Sequence, residues 1–408
     1  MKSIIKRAWA VILLSATLSV AQAQTISNPA PAANATYLGA VAGRGVVANM
    51  TANAGSPYQT MTRTGYVATE TSFPRPVLGL NWYVPQATNV ETPNGGTCTT
   101  TAALEYPAGT YTQYRFAGAA TGAGNSGDVV VPDPITTSVP RGGNFWVRWW
   151  LSCTSGWTYR GNFPARPGDG FNSGTATADL TMGGGAGPAG GLGNIGSLHV
   201  APLAIIGQTS RRSFMGIGDS IMSGGGTDAA SDYSGHQGLL ARVVGGDYAY
   251  SNLGVSSTRA NQFTAANAPR RIALAAYFSD VVSNYGVNDS LNGIAAATTL
   301  TELQRIQTLF PGKRYTQFTI SPIVTGTTFT AIDGSDQTAH TNAGIVDSLN
   351  TSIRINFDYW DFRAAVELAP GSQKWRGGWT GDGIHPLPPA YRQAGAAMYG
   401  PASRLPLQ

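Results

Sequence analysis

"SFMGIGDSIMSGGG", Ser213 to Gly226, runs a short apolar stretch into Gly-Asp-Ser and then into three glycines. An apolar run that ends on small residues reads as a buried strand entering a tight turn. Such a turn cradles a phosphate, presents a nucleophile, or is only a glycine-rich loop. A dinucleotide fingerprint needs Gly-x-Gly-x-x-Gly. Gly216 and Gly218 supply two of the glycines, but the third position is Ile221. No Gly-Lys-Ser/Thr follows, so a P-loop fails as well. What remains is Ser220 as a nucleophile at a strand end, or as one more serine in a turn.

Downstream the same texture repeats. "GHQGLLARVVGG" reads as helix, "DYAYSNLGVSS" as strand then loop, and "TRANQFTAANAPRRIALAAY" as a helix or a broken pair. "FSDVVSNYGVND" reads as strand then loop, "ATTLTELQRIQTLF" as helix, "KRYTQFTISPIV" as strand and "TNAGIVDSLNTSIRINF" as helix. "YWDFRAAV" reads as strand and "PPAYRQAGAAMY" as a last helix. Alternation of this kind predicts a parallel α/β sheet with helices on both faces and right-handed crossovers. Ligands of such sheets sit at the carboxyl ends of the strands.

A serine hydroxyl is a weak nucleophile and needs a base within hydrogen-bond reach. The chain has four histidines: His199, His236, His340 and His385. Only His385, in "GDGIHPLP", has a carboxylate three residues before it, Asp382. In a tight loop that carboxylate takes the Nδ1–H and leaves Nε2 for the serine proton. Acyl transfer also needs donors for the oxyanion. The Gly254 N–H and the Asn288 amide each follow a predicted strand end, on the same edge as Ser220.

Four blocks in order, "GIGDSI", "NLGVSS", "YGVND" and "DGIHP", resemble those of the SGNH hydrolase superfamily, the GDSL-type esterases and lipases. The resemblance covers Ser213 to the C-terminus. It implies a flavodoxin-like fold with a five-stranded parallel sheet. It also implies Ser220 as nucleophile and backbone oxyanion donor, Gly254 and Asn288 as further donors, His385 as base and Asp382 as its orienting carboxylate. Ile221 stands where the family's name has leucine, and both are apolar. Asp219, Asp289 and Trp379 are candidates for the substrate pocket, with Asp289 also suited to holding the Asn288 loop and Trp379 to packing. No metal or organic cofactor is implied.

Upstream, residues 57–205 show short β-like runs broken by Pro and Gly, the pattern of a sandwich or jelly roll. In "NFWVRWWLSC" Phe145, Val147, Trp149, Leu151 and Cys153 share one strand face, and Trp146, Arg148 and Trp150 share the other. One face is expected in the core; the other is a second packed surface or an aromatic platform. Cys98 and Cys153, the only cysteines, are expected to pair, which would add about 4 kcal/mol in the chain-entropy model. Residues 24–56 read as a low-complexity lead-in or an irregular first strand. Residues 1–23 read as a signal peptide cut after Ala23: Lys2, Lys6 and Arg7 precede an apolar run and Ala-Gln-Ala. This gives four segments: 1–23, 24–56, 57–205 and a hydrolase domain at 206–408.

The formal net charge of +5 falls when those three leader cations are removed. No basic stripe for nucleic acid remains, and no later stretch is apolar enough to span a bilayer. The expectation is a secreted or periplasmic serine esterase that takes acetyl or other small acyl groups from polysaccharide. The other readings are a general short-chain esterase or lipase on lipid or aryl esters, an acyltransferase, and an inactive carbohydrate-binding protein. The oligomeric state is left open.

Overall fold

The computed structural model describes residues 36–44, 51–53, 57–159, 166–183, 199–224, 228 and 234–399. The proposed signal peptide and most of the glycine-dense stretch 181–197 lie outside them.

The parallel sheet is built from β1 (Ser213–Ile217), β2 (Ala249–Asn252), β3 (Asp280–Ser283), β4 (Arg314–Phe318) and β5 (Asp358–Trp360). Its order is β2-β1-β3-β4-β5, every neighbouring pair parallel. All residues of β1, β2 and β3 are buried, as expected of strands covered on both faces. Helices Leu239–Val244, Ala296–Thr308, Ala343–Asn356 and Pro388–Tyr399 lie between or after the strands. In "YWDFRAAV" the strand stops at Trp360. Asp361 then accepts the Ala364 N–H and starts the helix Phe362–Val366, a side-chain cap that ends the strand early. The strand order reverses between β2 and β3 on either side of β1, which is where an open α/β sheet binds its ligands.

The β-rich region has a core of its own, with Tyr66, Leu78, Leu104, Phe145, Val147, Trp149 and Ile205 buried together. Two sheets enclose it. One has four strands: Tyr37–Ala40, Ala204–Thr209, Arg75–Gly79 and Val129–Val130. The other carries the long antiparallel strands Tyr58–Ala68, Thr97–Glu105 and Asn144–Cys153. Phe145, Val147, Trp149, Leu151 and Cys153 face the core as the alternation predicts. The opposite face is a second packed surface. Arg148 Nε donates to Leu180 O at 2.9 Å and Trp150 Nε1 to Thr177 O at 2.9 Å. The segment carrying those carbonyls covers the face that was the alternative aromatic platform.

The two regions are joined through the backbone. Ala42–Gly43 pairs antiparallel with Tyr58–Ala68 and, at Gly43, parallel with Tyr250 of β2, making one twelve-stranded sheet. Among the described residues of the lead-in, Tyr37–Ala40, Ala42–Gly43 and Thr51–Asn53 are strand. Ala40, Val41 and Ala42 are buried, and their small size lets this strand fit the seam that composition alone makes look irregular. The strand Ala204–Thr209 spans the expected 205/206 boundary and pairs with Arg75–Gly79. Among the described residues no helix is long and apolar enough to cross a membrane.

Candidate active site

Beyond β1 the chain turns sharply at Gly218, whose φ is +150°. A Cβ there would sit 1.6 Å from Asn284 Oδ1, so only glycine lets the β3 loop approach. Asp219 caps the one-turn helix Ser220–Ser223 by accepting the Ile221 N–H at 2.9 Å. Ser220, the first residue of that turn, is 7% exposed.

The Ser220 Oγ lies 2.8 Å from His385 Nε2. The His385 Nδ1 lies 2.6 Å from Asp382 Oδ2. With Nδ1–H donating to the carboxylate, Nε2 accepts from the serine, which is the arrangement a general base needs. Asp382 Oδ1 also accepts the N–H groups of Ile384 and His385, at 2.9 and 2.8 Å. The four residues thus form one closed turn. Burial opposes ionisation of Asp382, but these bonds outweigh it and hold the carboxyl down at about 2. The hydrogen bond to Asp382 raises the His385 imidazole above its ordinary value, against the opposing effect of burial.

Gly254 follows β2 and presses on the nucleophile turn. A side chain there would meet Met222 Cβ at 2.8 Å, Ser223 N at 2.9 Å and Asp219 O at 3.0 Å. Its N–H donates to Asn252 Oδ1 across 3.2 Å, a long bond that an oxyanion would have to share or displace. Asn288, at the start of the short helix Val287–Leu291, donates one amide hydrogen to Thr258 O at 3.0 Å. An Asn amide has two hydrogens, so the second remains to serve as a donor.

Two of the pocket candidates are not at a surface. Asp219 is 0% exposed. It lies beneath the nucleophile, and burial pushes its carboxyl up to about 6. Asp289 is 2% exposed and accepts the Ala260 N–H, so it braces the loop beside Asn288. Both carboxylates are therefore turned into the protein, where backbone N–H groups and the Asn284 amide offset the cost of burying them. Trp379 is half-buried against the core, with the Arg376 guanidinium 4.8 Å over its ring.

Asn284 was not singled out by its motif. Its Oδ1 accepts the Asp219 N–H at 3.1 Å and its Nδ2 donates to Asp219 Oδ1 at 2.8 Å. The hairpin of Val324–Gly326 and Gln337–Ala339, packed on the His385 turn, was also not anticipated. A position directly after a central strand was the available signal for Asn284. Three-residue strands leave almost none for the hairpin.

The GDSL-like lipase/acylhydrolase family matches residues 217–393. That span reaches from the last residue of β1 past His385, and the match supports the SGNH hydrolase superfamily over it. No curated protein sequence matches the chain. Among solved structures, a lipolytic protein of the G-D-S-L family from Veillonella parvula is similar at 17% identity and a TM-score of 0.35, over 48% of this chain and 100% of its own. A carbohydrate acetylesterase from Sinorhizobium meliloti is similar at 15% identity and 0.33, over 46% and 97%. An acetyl xylan esterase gives 18% and 0.33, over 46% and 98%.

Proposed function

We propose that the protein is an exported serine esterase that hydrolyses carboxylic esters through an acyl-enzyme and removes small acyl groups from polysaccharide. The observation that carries the reaction type is the 2.8 Å contact between Ser220 Oγ and a His385 whose Nδ1 is 2.6 Å from Asp382. The family match supports acyl hydrolysis in its own right.

In this reading the Ser220 oxygen attacks the ester carbonyl as His385 Nε2 takes the hydroxyl proton. Negative charge on the carbonyl oxygen is met by the Ser220 N–H and the free amide hydrogen of Asn288, with Gly254 as the third donor. His385 returns the proton to the departing alcohol, and the acyl group stays on Ser220. Water then attacks the acyl carbon as it loses a proton to His385 Nε2, the bond from that carbon to Ser220 Oγ breaks, and His385 passes the proton to Oγ as the acid leaves. Asp382 holds one imidazole tautomer throughout and stabilises the imidazolium.

The substrate class is supported by the openness of the base. The side chains of His385 and Asp382 are 27% and 49% exposed, a setting suited to an ester projecting from a large molecule. Export is supported by the N-terminal pattern and by the disulfide, which belongs to oxidising compartments.

The test is a fluorophosphonate probe followed by an ester panel. Labelling is expected at Ser220, absent in Ser220→Ala, with hydrolysis in that variant reduced by on the order of 10⁴-fold. Acetylated xylan is expected to be turned over faster than p-nitrophenyl esters of eight or more carbons. Strong preference for the long acyl chains would overturn the polysaccharide reading. An unlabelled, folded wild-type protein would overturn the serine mechanism.

A further inference from the structure

The turn Asp382–His385 is pinned at its middle residue by groups far from the substrate. The Gly383 carbonyl accepts two hydrogen bonds, from the Val324 N–H at 3.0 Å and from the Trp375 indole Nε1–H at 3.2 Å. Gly383 has a φ of +82°, and a Cβ there would lie 2.1 Å from Val324 O. The hairpin and the catalytic turn therefore touch backbone to backbone.

Trp375 is in turn fixed by one side chain of the same hairpin. Gln337 Nε2 donates to Trp375 O at 2.9 Å, and the Trp375 N–H donates to Gln337 Oε1 at 2.9 Å. Trp375 is 0% exposed and Gln337 is 3% exposed. A buried primary amide that satisfies both the N–H and the C=O of one residue fixes the two peptide planes on either side of its Cα. Such a network is fully bonded or costly, so it holds a single geometry. The hairpin's own arc is fixed as well: Asp336 accepts the Thr330 and Ala331 N–H groups and the Thr328 hydroxyl. A second backbone bond, from Gly378 N–H to Phe329 O at 2.6 Å, holds the approach to the turn.

We propose that Gln337 and Trp375 are positioning residues for catalysis, acting as a relay from the hairpin through Gly383 that holds the Asp382–His385 turn against Ser220. This rests on the assignment of His385 and Asp382 argued above. The relay touches neither substrate nor reacting atoms. Its effect is on where Nε2 stands relative to Oγ and how well Nδ1–H meets Asp382. Catalytic groups need to be held to within about 0.5 Å of their productive geometry. A short turn whose carboxylate is half exposed does not supply that rigidity alone.

The test compares Trp375→Phe, which removes the indole donor to Gly383 together with part of the buried ring volume, with Gln337→Glu, which keeps an acceptor for the Trp375 N–H but in its ionised form has no donor for the Trp375 carbonyl. Rates are taken per probe-titrated molecule, well below each variant's thermal midpoint. The expected result is a fall in kcat of about 10- to 100-fold for Trp375→Phe with KM within about twofold, the scale of a small misplacement of reacting groups. A smaller fall is expected for Gln337→Glu. In both, the acid limb of the kcat/KM profile should move to lower pH, since a loosened turn weakens the bond that raises His385. Variants with lower thermal midpoints but wild-type kcat and an unmoved acid limb would overturn the proposal. So would failure of both to fold, because the pair would then be fold-wide core. Absence of esterase activity and of Ser220 labelling in the wild type would instead remove the assignment beneath it.

Discussion

Asn284 and Asp219 exchange two hydrogen bonds in opposite directions, at 3.1 and 2.8 Å, across the gap between the ends of β1 and β3. One bond holds the peptide N–H immediately before the nucleophile. The other holds the carboxylate that caps the nucleophile's helix. Ser220 is thereby located from the neighbouring strand as well as from its own.

Removing that brace should cost catalysis without touching substrate. Asn284→Ala leaves a buried carboxylate short of a donor, and hydrogen bonds to charged groups are worth about 1.5–3 kcal/mol. If about half of that falls on the geometry of Ser220, kcat drops by roughly 4- to 13-fold. The thermal midpoint should fall too. Steady-state kinetics on an aryl acetate checks this, and a variant with lower stability but unchanged kcat would confine Asn284 to the fold.

The Asp382–His385 bond fixes the pH behaviour. The base works only as neutral imidazole, and the hydrogen bond to Asp382 raises its titration above the ordinary histidine value. Activity should therefore be lost on acidification from a point above that value. In Asp382→Asn the stabilisation of the protonated ring is gone, so the acid limb of kcat/KM should shift to lower pH. At the same time kcat should fall by on the order of 10²- to 10⁴-fold, because the tautomer is no longer held. A pH–rate profile from 4 to 9 reads both effects. An acid limb that stays where it was would mean that another group titrates there.

The residues proposed for catalysis could be picked out of the sequence because their chemistry is local. Asp382 and His385 lie three residues apart, and Ser220, Gly254 and Asn288 each follow an apolar run that ends at a glycine-bearing block. Strand–helix alternation then put those blocks on one edge. The supports were not legible. Asn284, Gln337 and Trp375 act through contacts across 65, 38 and 8 residues, and no periodicity encodes such pairings. The seam at Ala42–Gly43 was hidden for a related reason: two small residues carry no strand signature, and their pairing with Tyr58–Ala68 and β2 is decided by burial. Asp219 and Asp289 were placed at a pocket because sequence gives neighbourhood but not direction.

Cys98 and Cys153 are paired opposite one another on adjacent antiparallel strands, with a disulfide between them across 55 residues. Both are 2% exposed. In the chain-entropy model closing such a loop limits the unfolded ensemble by about 4 kcal/mol. Cys98→Ala with Cys153→Ala should lower the urea-unfolding free energy by up to about that amount. Residual activity per folded molecule should be unchanged, because the bond lies in the β-rich core and away from the Ser220 edge. Unfolding curves that overlay those of the oxidised wild type would show that the strand pairing alone carries the constraint.

His199 is expected to weaken the fold toward acid. It is 0% exposed, with Nε2 2.8 Å from Thr64 Oγ1. Burial is the main cause that drops its titration to about 3, with Asp169 opposing and Arg44 assisting. An unfolded chain protonates the same ring near 6.5. Between those values the unfolded state binds a proton that the native state refuses, so stability declines as pH falls below 6.5. At about 1.4 kcal/mol per pH unit, this one group withdraws on the order of 3 kcal/mol by pH 4.5. His199→Gln keeps a hydrogen-bonding partner for Thr64 and does not titrate. Its unfolding free energy, measured in urea at pH 7 and at pH 4.5, should therefore fall by less than that of the wild type over the same interval. The difference between the two slopes isolates the histidine from the carboxylates and from His385, whose raised value acts in the opposite direction. Parallel slopes would mean that His199 gains its proton without loss of the native state, and that the ring has access to water or to a compensating charge.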